Sequence, residues 1–280
     1  TETSFIEWIT SGKGFVNFRN HSTLSYSISD YNPPDYYKDV KIKDDEGLVV
    51  KLIQGKNSVN TYNFMTKDYC ISSVIDYRPY QKGHQQHLQN ITMGDSNVQF
   101  FINHPGERPY SGKSRPSYWA GNGTMPLIHQ FKDTQMIIYK LKENSLVNYI
   151  HAFAVLSEFD EYIISGKRFF ARVKNAYLFV YFNNGFDITK YGANTLKEIV
   201  AKGLEHKVVI RCGNKKKFGN FENFVKAFQA SLVIEKINVF LYKDPVYGDM
   251  EIINDKDFIM QNTKHKYNFS KQFEIEKIKL

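Results

Sequence analysis

The stretch from Tyr77 to Gln130 carries the residues best suited to chemistry. It contains Gly83-His84-Gln85-Gln86-His87, Asn103-His104-Pro105-Gly106, Arg115-Pro116-Ser117-Tyr118-Trp119-Ala120-Gly121-Asn122-Gly123 and His129-Gln130. Imidazoles exchange protons near neutral pH. Guanidinium groups such as those of Arg78, Arg108 and Arg115 can hold a carboxylate or sulfate through two parallel hydrogen bonds. An aromatic pair framed by glycines and prolines, Tyr118-Trp119, can offer a flat apolar face beside the amide of Asn122, which suits the C–H face and hydroxyl rim of a sugar. The same pair could instead plug the end of a sandwich.

If Gln85 to Thr92 is a strand, Gln85, His87 and Gln89 share one face by the period of two, with Gln86 and Leu88 opposite. A row of amide, imidazole and amide fits a wet groove that reads hydroxyls and a carboxylate, or a solvated strand face. His104 ends an apolar strand before Pro105-Gly106, which places it at a sheet rim, either as a binding group or bonded to its own turn. His84 and His87 could both reach a metal, but no third ligand follows at a fixed spacing, so no metal and no cofactor is expected. No nucleophile elbow, Walker loop, zinc-protease helix or dinucleotide fingerprint is present.

The elements that must position these groups read as strands. Leu48–Ile53, Asn97–Ile102, Gln135–Tyr139 and Ala176–Phe182 are β-rich runs, as are Gly14–Phe18 and Leu24–Ile28. The turn sequences Asn32-Pro33-Pro34-Asp35 and Asp44-Asp45-Glu46-Gly47 lie between them. Ala176–Phe182 is apolar on both parities, which suits a strand covered on both faces. Two helices are expected: Leu196, Ile199 and Val200 fall on one helical face before Gly203, and Asn220 can cap a helix bearing Phe221, Phe224, Val225 and Phe228. From Val233 the chain returns to strand pairs. The expectation is an all-β fold, a large antiparallel two-sheet sandwich with two short helices. It spans 1–280 as one domain, with 213–280 as a possible smaller appendage.

Composition supports a folded protein: aromatics make up 15% and charged residues 24% of 280 residues. The net charge of +8 could attract a polyanion. Lysine is spread along the chain, with Lys215-Lys216-Lys217 the one tight run, so nucleic acid is not expected as partner, and an acidic polysaccharide satisfies the same electrostatics. No apolar run reaches membrane-spanning length, and no membrane partner is expected. No signal peptide is legible, and the missing initiator Met suggests a processed or trimmed chain. Cys70 and Cys212 show no metal-type spacing and read as buried free thiols, though a disulfide stays open.

In order along the chain, several blocks resemble one family. They are Thr66-Lys67-Asp68-Tyr69-Cys70-Ile71-Ser72-Ser73, Asp76-Tyr77-Arg78-Pro79, Gly83-x-Gln85-x-His87, His104-Pro105-Gly106 and Arg115-Pro116-x-Tyr118-Trp119-Ala120-Gly121-Asn122-Gly123. Phe159-Asp160-Glu161, Phe170–Tyr177 and Gly219-Asn220-Phe221-Glu222-x-Phe224 follow. Together they are similar to the C-terminal β-sandwich region of large bacterial proteins related to heparinase II/III-type polysaccharide lyases, from about Asn60 onward.

The resemblance implies a substrate cleft between the sandwich and an N-terminal (α/α) toroid, nothing of which is legible here. It also implies that the sandwich contributes a histidine, for which His87, with Gln85 beside it, is the candidate. In the β-elimination it implies, Gln85 or Arg115 neutralises the carboxylate, His87 is the base and Tyr118 the acid. Arg78, His84, His104, Arg108, Arg115, Trp119 and Asn122 then contact substrate. Two departures bear on specificity: Gln89-Asn90 replaces an aromatic and a glutamine, and Leu127 replaces an arginine after Pro126. A glycan-binding sandwich without chemistry, using Tyr118 and Trp119 as platform, and a purely structural domain are the other readings.

Overall fold

A computed structural model of the chain describes residues 42–54, 59–83, 86–94, 98–106, 122–269 and 273–280. The runs expected at Gly14–Phe18 and Leu24–Ile28, and the turn at Asn32–Asp35, lie outside these residues. Among the described residues the fold is all-β, with three antiparallel sheets and two short helices. No helix among them is long and apolar enough to cross a membrane.

The largest sheet has nine strands. In spatial order they are β12 (Asp187–Ile188), β13 (Glu198–Lys202), β8 (Tyr149–Ala154), β5 (Val98–Asn103), β4 (Gln89–Met93), β3 (Tyr69–Val74), β2 (Val59–Met65), β1 (Glu46–Gln54) and β20 (Phe273–Lys279). A six-stranded sheet follows the order β6 (Leu127–Phe131), β7 (Thr134–Lys140), β14 (Glu205–Asn214), β11 (Ala176–Phe182), β10 (Arg168–Val173) and β9 (Glu161–Ser165). The third sheet is a meander of β15 (Leu232–Lys236), β16 (Val239–Asp244), β17 (Gly248–Ile253), β18 (Asp257–Met260) and β19 (Thr263–Lys264).

The period of two on β11 explains how these layers stack. Ala176, Leu178, Val180 and Phe182 join a core shared with the nine-stranded sheet through Ile71, Ile91 and Phe100. Tyr177, Phe179 and Tyr181 join a second core with Phe240, Tyr242 and Ile252 of the third sheet. All seven residues of the strand are buried, as its apolarity on both parities requires. The six-stranded sheet is thus the middle of three layers.

The helix expected after Asn220 is present as α2 (Phe221–Gln229), preceded by α1 (Lys215–Phe218). Asn220 Oδ1 accepts a hydrogen bond from Asn223 N at 2.8 Å, satisfying a donor of the first turn. Phe221, Phe224 and Phe228 are buried on one face against Tyr177 and Phe179. Burying each ring contributes roughly 1.5–3 kcal/mol.

The helix expected around Leu196 is not formed. Glu198–Lys202 is strand β13, paired with β8 from Glu198↔Phe153 to Lys202↔Tyr149. Ile199 points into the core while Leu196 is exposed, in a turn at φ 54°. The β-branched Ile199-Val200 pair and an open partner in β8 outweigh a spacing that also suited a helix. Both cysteines are free thiols, Cys212 buried and Cys70 half-buried.

Candidate functional site

Of the segments that the sequence singled out, the described residues around Gly83, Gln86, His104 and Asn122 come together, whereas His129 and Gln130 belong to β6 of the six-stranded sheet. Residues 80–83 run beside 122–125: Tyr80 N donates to Met125 O, Met125 N to Gln81 O and Gly83 N to Gly123 O, and Lys82 and Thr124 form a bridge. Two glycines make the approach feasible. A Cβ on Gly83 would lie 2.2 Å from Asn122 O, and one on Gly123 would lie 2.4 Å from Gly106 Cα. Any other residue would push the strands apart.

Asn122 is the clamp at the centre. Its Nδ2 and its backbone N both donate to Gln86 O at 2.9 Å. Its Oδ1 accepts from His104 N at 3.1 Å and from Tyr139 OH at 3.0 Å. The side chain is fully buried, and its Oδ1 makes both of its bonds away from solvent. Gly123 N in turn donates to His104 O at 2.8 Å. Gly106 and Gly123 are therefore close in space. Arg108, Arg115, Tyr118 and Trp119 belong to the intervening residues 107–121, which lie outside the described residues, as do His84 and Gln85.

His104 is a structural member of this clamp. It is fully buried. Its Nε2–H donates to Val147 O at 2.9 Å while Nδ1 accepts from Thr124 N at 3.0 Å. One nitrogen donates and the other accepts, so the imidazole is neutral in this arrangement. The ring is bonded not to its own turn but to Val147 and Thr124, residues distant in sequence, and it is enclosed instead of lying at the surface.

His87 differs from it. It precedes β4 and is exposed, with its ring edge-on to Phe101 at 5.5 Å. Phe101 stacks on Phe153 at 5.2 Å, which anchors the platform beneath the imidazole. Partial burial lowers the pKa of His87 below its ordinary value, so the ring is neutral at pH 7 and able to accept a proton.

Of the expected row of Gln85, His87 and Gln89, the two described members are not in one strand. The strand begins only at Gln89, and Leu88 and Gln89 are both buried. Gln89 turns inward, where its Oε1 accepts from Ile102 N at 2.9 Å. His87, exposed, and Gln89, buried, therefore do not share one face. Arg78 is exposed, its Nε donating to Gln81 Oε1 at 3.1 Å. It lies in a turn where Asp76, Arg78 and Tyr80 all take positive φ, at 46°, 47° and 65°. Non-glycine residues hold such angles only where the surroundings impose them, and they cluster at functional sites.

A polar cluster on the same sheet escaped the sequence reading. On β8, His151 Nδ1 meets Glu198 Oε1 of β13 at 2.8 Å. Thr189 Oγ1 donates to Glu198 Oε2 at 2.6 Å. Asn103 of β5 stands opposite His151 in register, two residues beyond the Phe101↔Phe153 pair. Burial lowers the His151 pKa against the opposing pull of Glu198. No spacing signals this arrangement, because strand pairing alone joins 103, 151 and 198.

Among the described residues no three histidine, cysteine or acidic side chains gather as metal ligands. No protein-family model, curated protein or solved structure matches the chain.

Proposed function

We propose that this chain is the carbohydrate-active β-sandwich region of a polysaccharide lyase, acting on acidic, uronate-containing glycans by β-elimination. The observation that carries the reading is the placement of His87: an exposed, neutral imidazole, held edge-on against Phe101 and joined through Gln86 to the Asn122 clamp. The sequence blocks similar to heparinase II/III-type lyases select this chemistry among those a neutral imidazole can perform.

In that reaction His87 removes the proton at C5 of the uronate. The electron pair forms the C4–C5 double bond, the C4–O bond breaks, and the leaving oxygen takes a proton from an acid. A group that neutralises the carboxylate lowers the cost of the carbanion-like transition state. Gln85 and Arg115 are the candidates for that role and Tyr118 for the acid. Arg108, His84 and Trp119 would contact the chain of sugars, with Arg78 beside them. The opposite wall of the cleft would come from an (α/α) toroid partner.

The test is the ultraviolet absorbance of unsaturated uronate as the full-length protein meets a panel of acidic glycans. His87→Ala should lower turnover by about 10²–10⁴-fold. Its melting temperature should not change, because an exposed ring leaves no cavity. Binding of a glycan without any rise in absorbance would favour a glycan-binding module. A flat trace and no binding across the panel would defeat both.

A further inference from the structure

A cavity of about 180 Å³ opens where the nine-stranded sheet meets the β6–β7 turn. Lys51 and Tyr62, neighbours in register on β1 and β2, form one wall. Phe131 and Lys132 of the turn form another, and His265 to Tyr267 close it. This cavity belongs to neither the Asn122 clamp nor the His151–Glu198 cluster.

Its charge is one-sided. Lys51, Lys132 and Lys266 line it against the single carboxylate of Glu276. Lys51 is engaged, with Glu274 at 3.1 Å and the Asn268 carbonyl at 3.1 Å. Lys132 pairs with no carboxylate among the described residues; its Nζ lies 5.3 Å from the Phe131 ring centre and 5.7 Å from that of Tyr247. Lys266 is exposed and likewise without a carboxylate among those residues. Two ammonium groups are thus available to an anion.

The walls between these charges are ring carbon. Tyr62 OH accepts from Lys132 N at 3.3 Å, and Tyr267 OH accepts from Gln130 N at 2.9 Å and lies 3.3 Å from His129 Nδ1. The two rings meet edge to face at 6.1 Å. His265 stands edge-on to Tyr267 at 4.8 Å and to Phe131 at 5.5 Å. Its ring nitrogens hydrogen-bond to no described residue.

We infer that this cavity is a binding site for a single acidic pyranose. Its carboxylate would lie between Lys132 and Lys266, its C–H face on the tyrosine rings and its hydroxyls within reach of His265. The volume is below the roughly 300 Å³ at which pockets begin to hold drug-sized ligands, which matches one ring and not a chain. A bare anion would leave the aromatic walls unused, and a neutral sugar would leave the two ammonium groups without a partner. The inference rests on the acidic-glycan reading above for its choice of sugar.

The experiment is an NMR titration of the full-length protein with D-glucuronate, D-glucose and acetate, repeated on the Lys132→Gln/Lys266→Gln double variant and on His87→Ala. Glucuronate should bind the wild type and His87→Ala equally, and the double variant at least tenfold more weakly at an unchanged melting temperature. Glucose and acetate should each bind at least tenfold more weakly than glucuronate. Acetate binding as well as glucuronate would mean an adventitious ion only and would overturn the proposal. So would glucuronate binding that survives in the double variant, or no glucuronate binding at all. Turnover of acidic polymers on the same samples separates the two readings. Turnover without glucuronate binding defeats this pocket alone, and glucuronate binding without turnover defeats the lyase alone.

Discussion

Arg211 of the middle sheet and Asp244 of the third sheet form an ion pair, Nε to Oδ2 at 3.1 Å, with both side chains wholly enclosed. Arg211 also pairs with Asp133 through Nη1, donates to Cys212 O at 2.7 Å and stands 4.8 Å over the Tyr247 ring. Lys217 Nζ lies 3.5 Å from Asp133 Oδ2, so two cations balance two carboxylates. Burial pushes the Asp133 carboxyl up, but the charges of Arg211 and Lys217 outweigh it and hold the group below its ordinary value. The pair pins the third layer to the second.

Removing one member of such a cluster strands the others in a dry interior. Arg211→Met should therefore cost roughly 3–5 kcal/mol, read as a fall in the urea midpoint. A loss under about 1 kcal/mol would mean that Asp133 and Asp244 find other partners without strain.

The clamp makes a local prediction. Asn122→Ala removes the side-chain acceptor of His104 N, one of the two acceptors of Tyr139 OH (Ile102 O remains, at 3.2 Å) and the side-chain donor to Gln86 O. Each buried group left unpaired costs roughly 1–3 kcal/mol. Thermal melts should show the loss, and protease cleavage near Gln86 should accelerate. Equal cleavage rates in variant and wild type would show that the clamped segments do not depend on this side chain.

Glu198→Gln tests the cluster on β8 and β13. The wild-type carboxylate accepts from both His151 and Thr189, at 2.8 Å and 2.6 Å. An amide can accept from only one of them and turns a donor toward the other. The expected destabilisation is roughly 1–3 kcal/mol. Because Glu198 opposes the effect of burial on His151, the variant's imidazole should titrate at still lower pH by NMR. An unchanged or higher His151 titration point would contradict the pairing.

Acid should weaken the fold through two other histidines. Burial is the main cause that lowers His129 and His206 from 6.5 to about 4. Their stabilising contribution is complete above pH 6.5 and is lost as pH falls toward 4, because the unfolded chain takes up protons that the folded one refuses. A drop of this size corresponds to roughly 3 kcal/mol for each imidazole. The unfolding free energy should fall across that window, and less steeply in His129→Phe. A slope identical in the two proteins would discount His129.

The parts of the fold written in local pattern were legible before any coordinates. Ala176–Phe182 alternates between two cores and could have no exposed face. The capped run of phenylalanines after Asn220 could be nothing but an amphipathic helix. Leu196–Val200 misled because a strand and a helix place apolar groups similarly over five residues, and the open edge of β8 decided between them. Within the stretch from Tyr77 to Gln130, the described residues around Gly83, Gln86, His104 and Asn122 do meet, but His129 and Gln130 lie in the six-stranded sheet. Glu198 and His151 were invisible because their meeting depends on register across distant strands.

The pairing of β1 with β20 has a kinetic consequence. Leu52 meets Phe273, so the strand at one edge waits for a partner at the far end of the described chain. Thermodynamically the long closure costs little more than a short one. In time it is expensive, because folding slows as contacting residues lie farther apart in sequence. Until β20 docks, β1 presents an unpaired apolar edge, the feature that drives strand-to-strand association between molecules. Refolding yield should therefore fall as protein concentration rises, with the early-made strand as the point of adhesion.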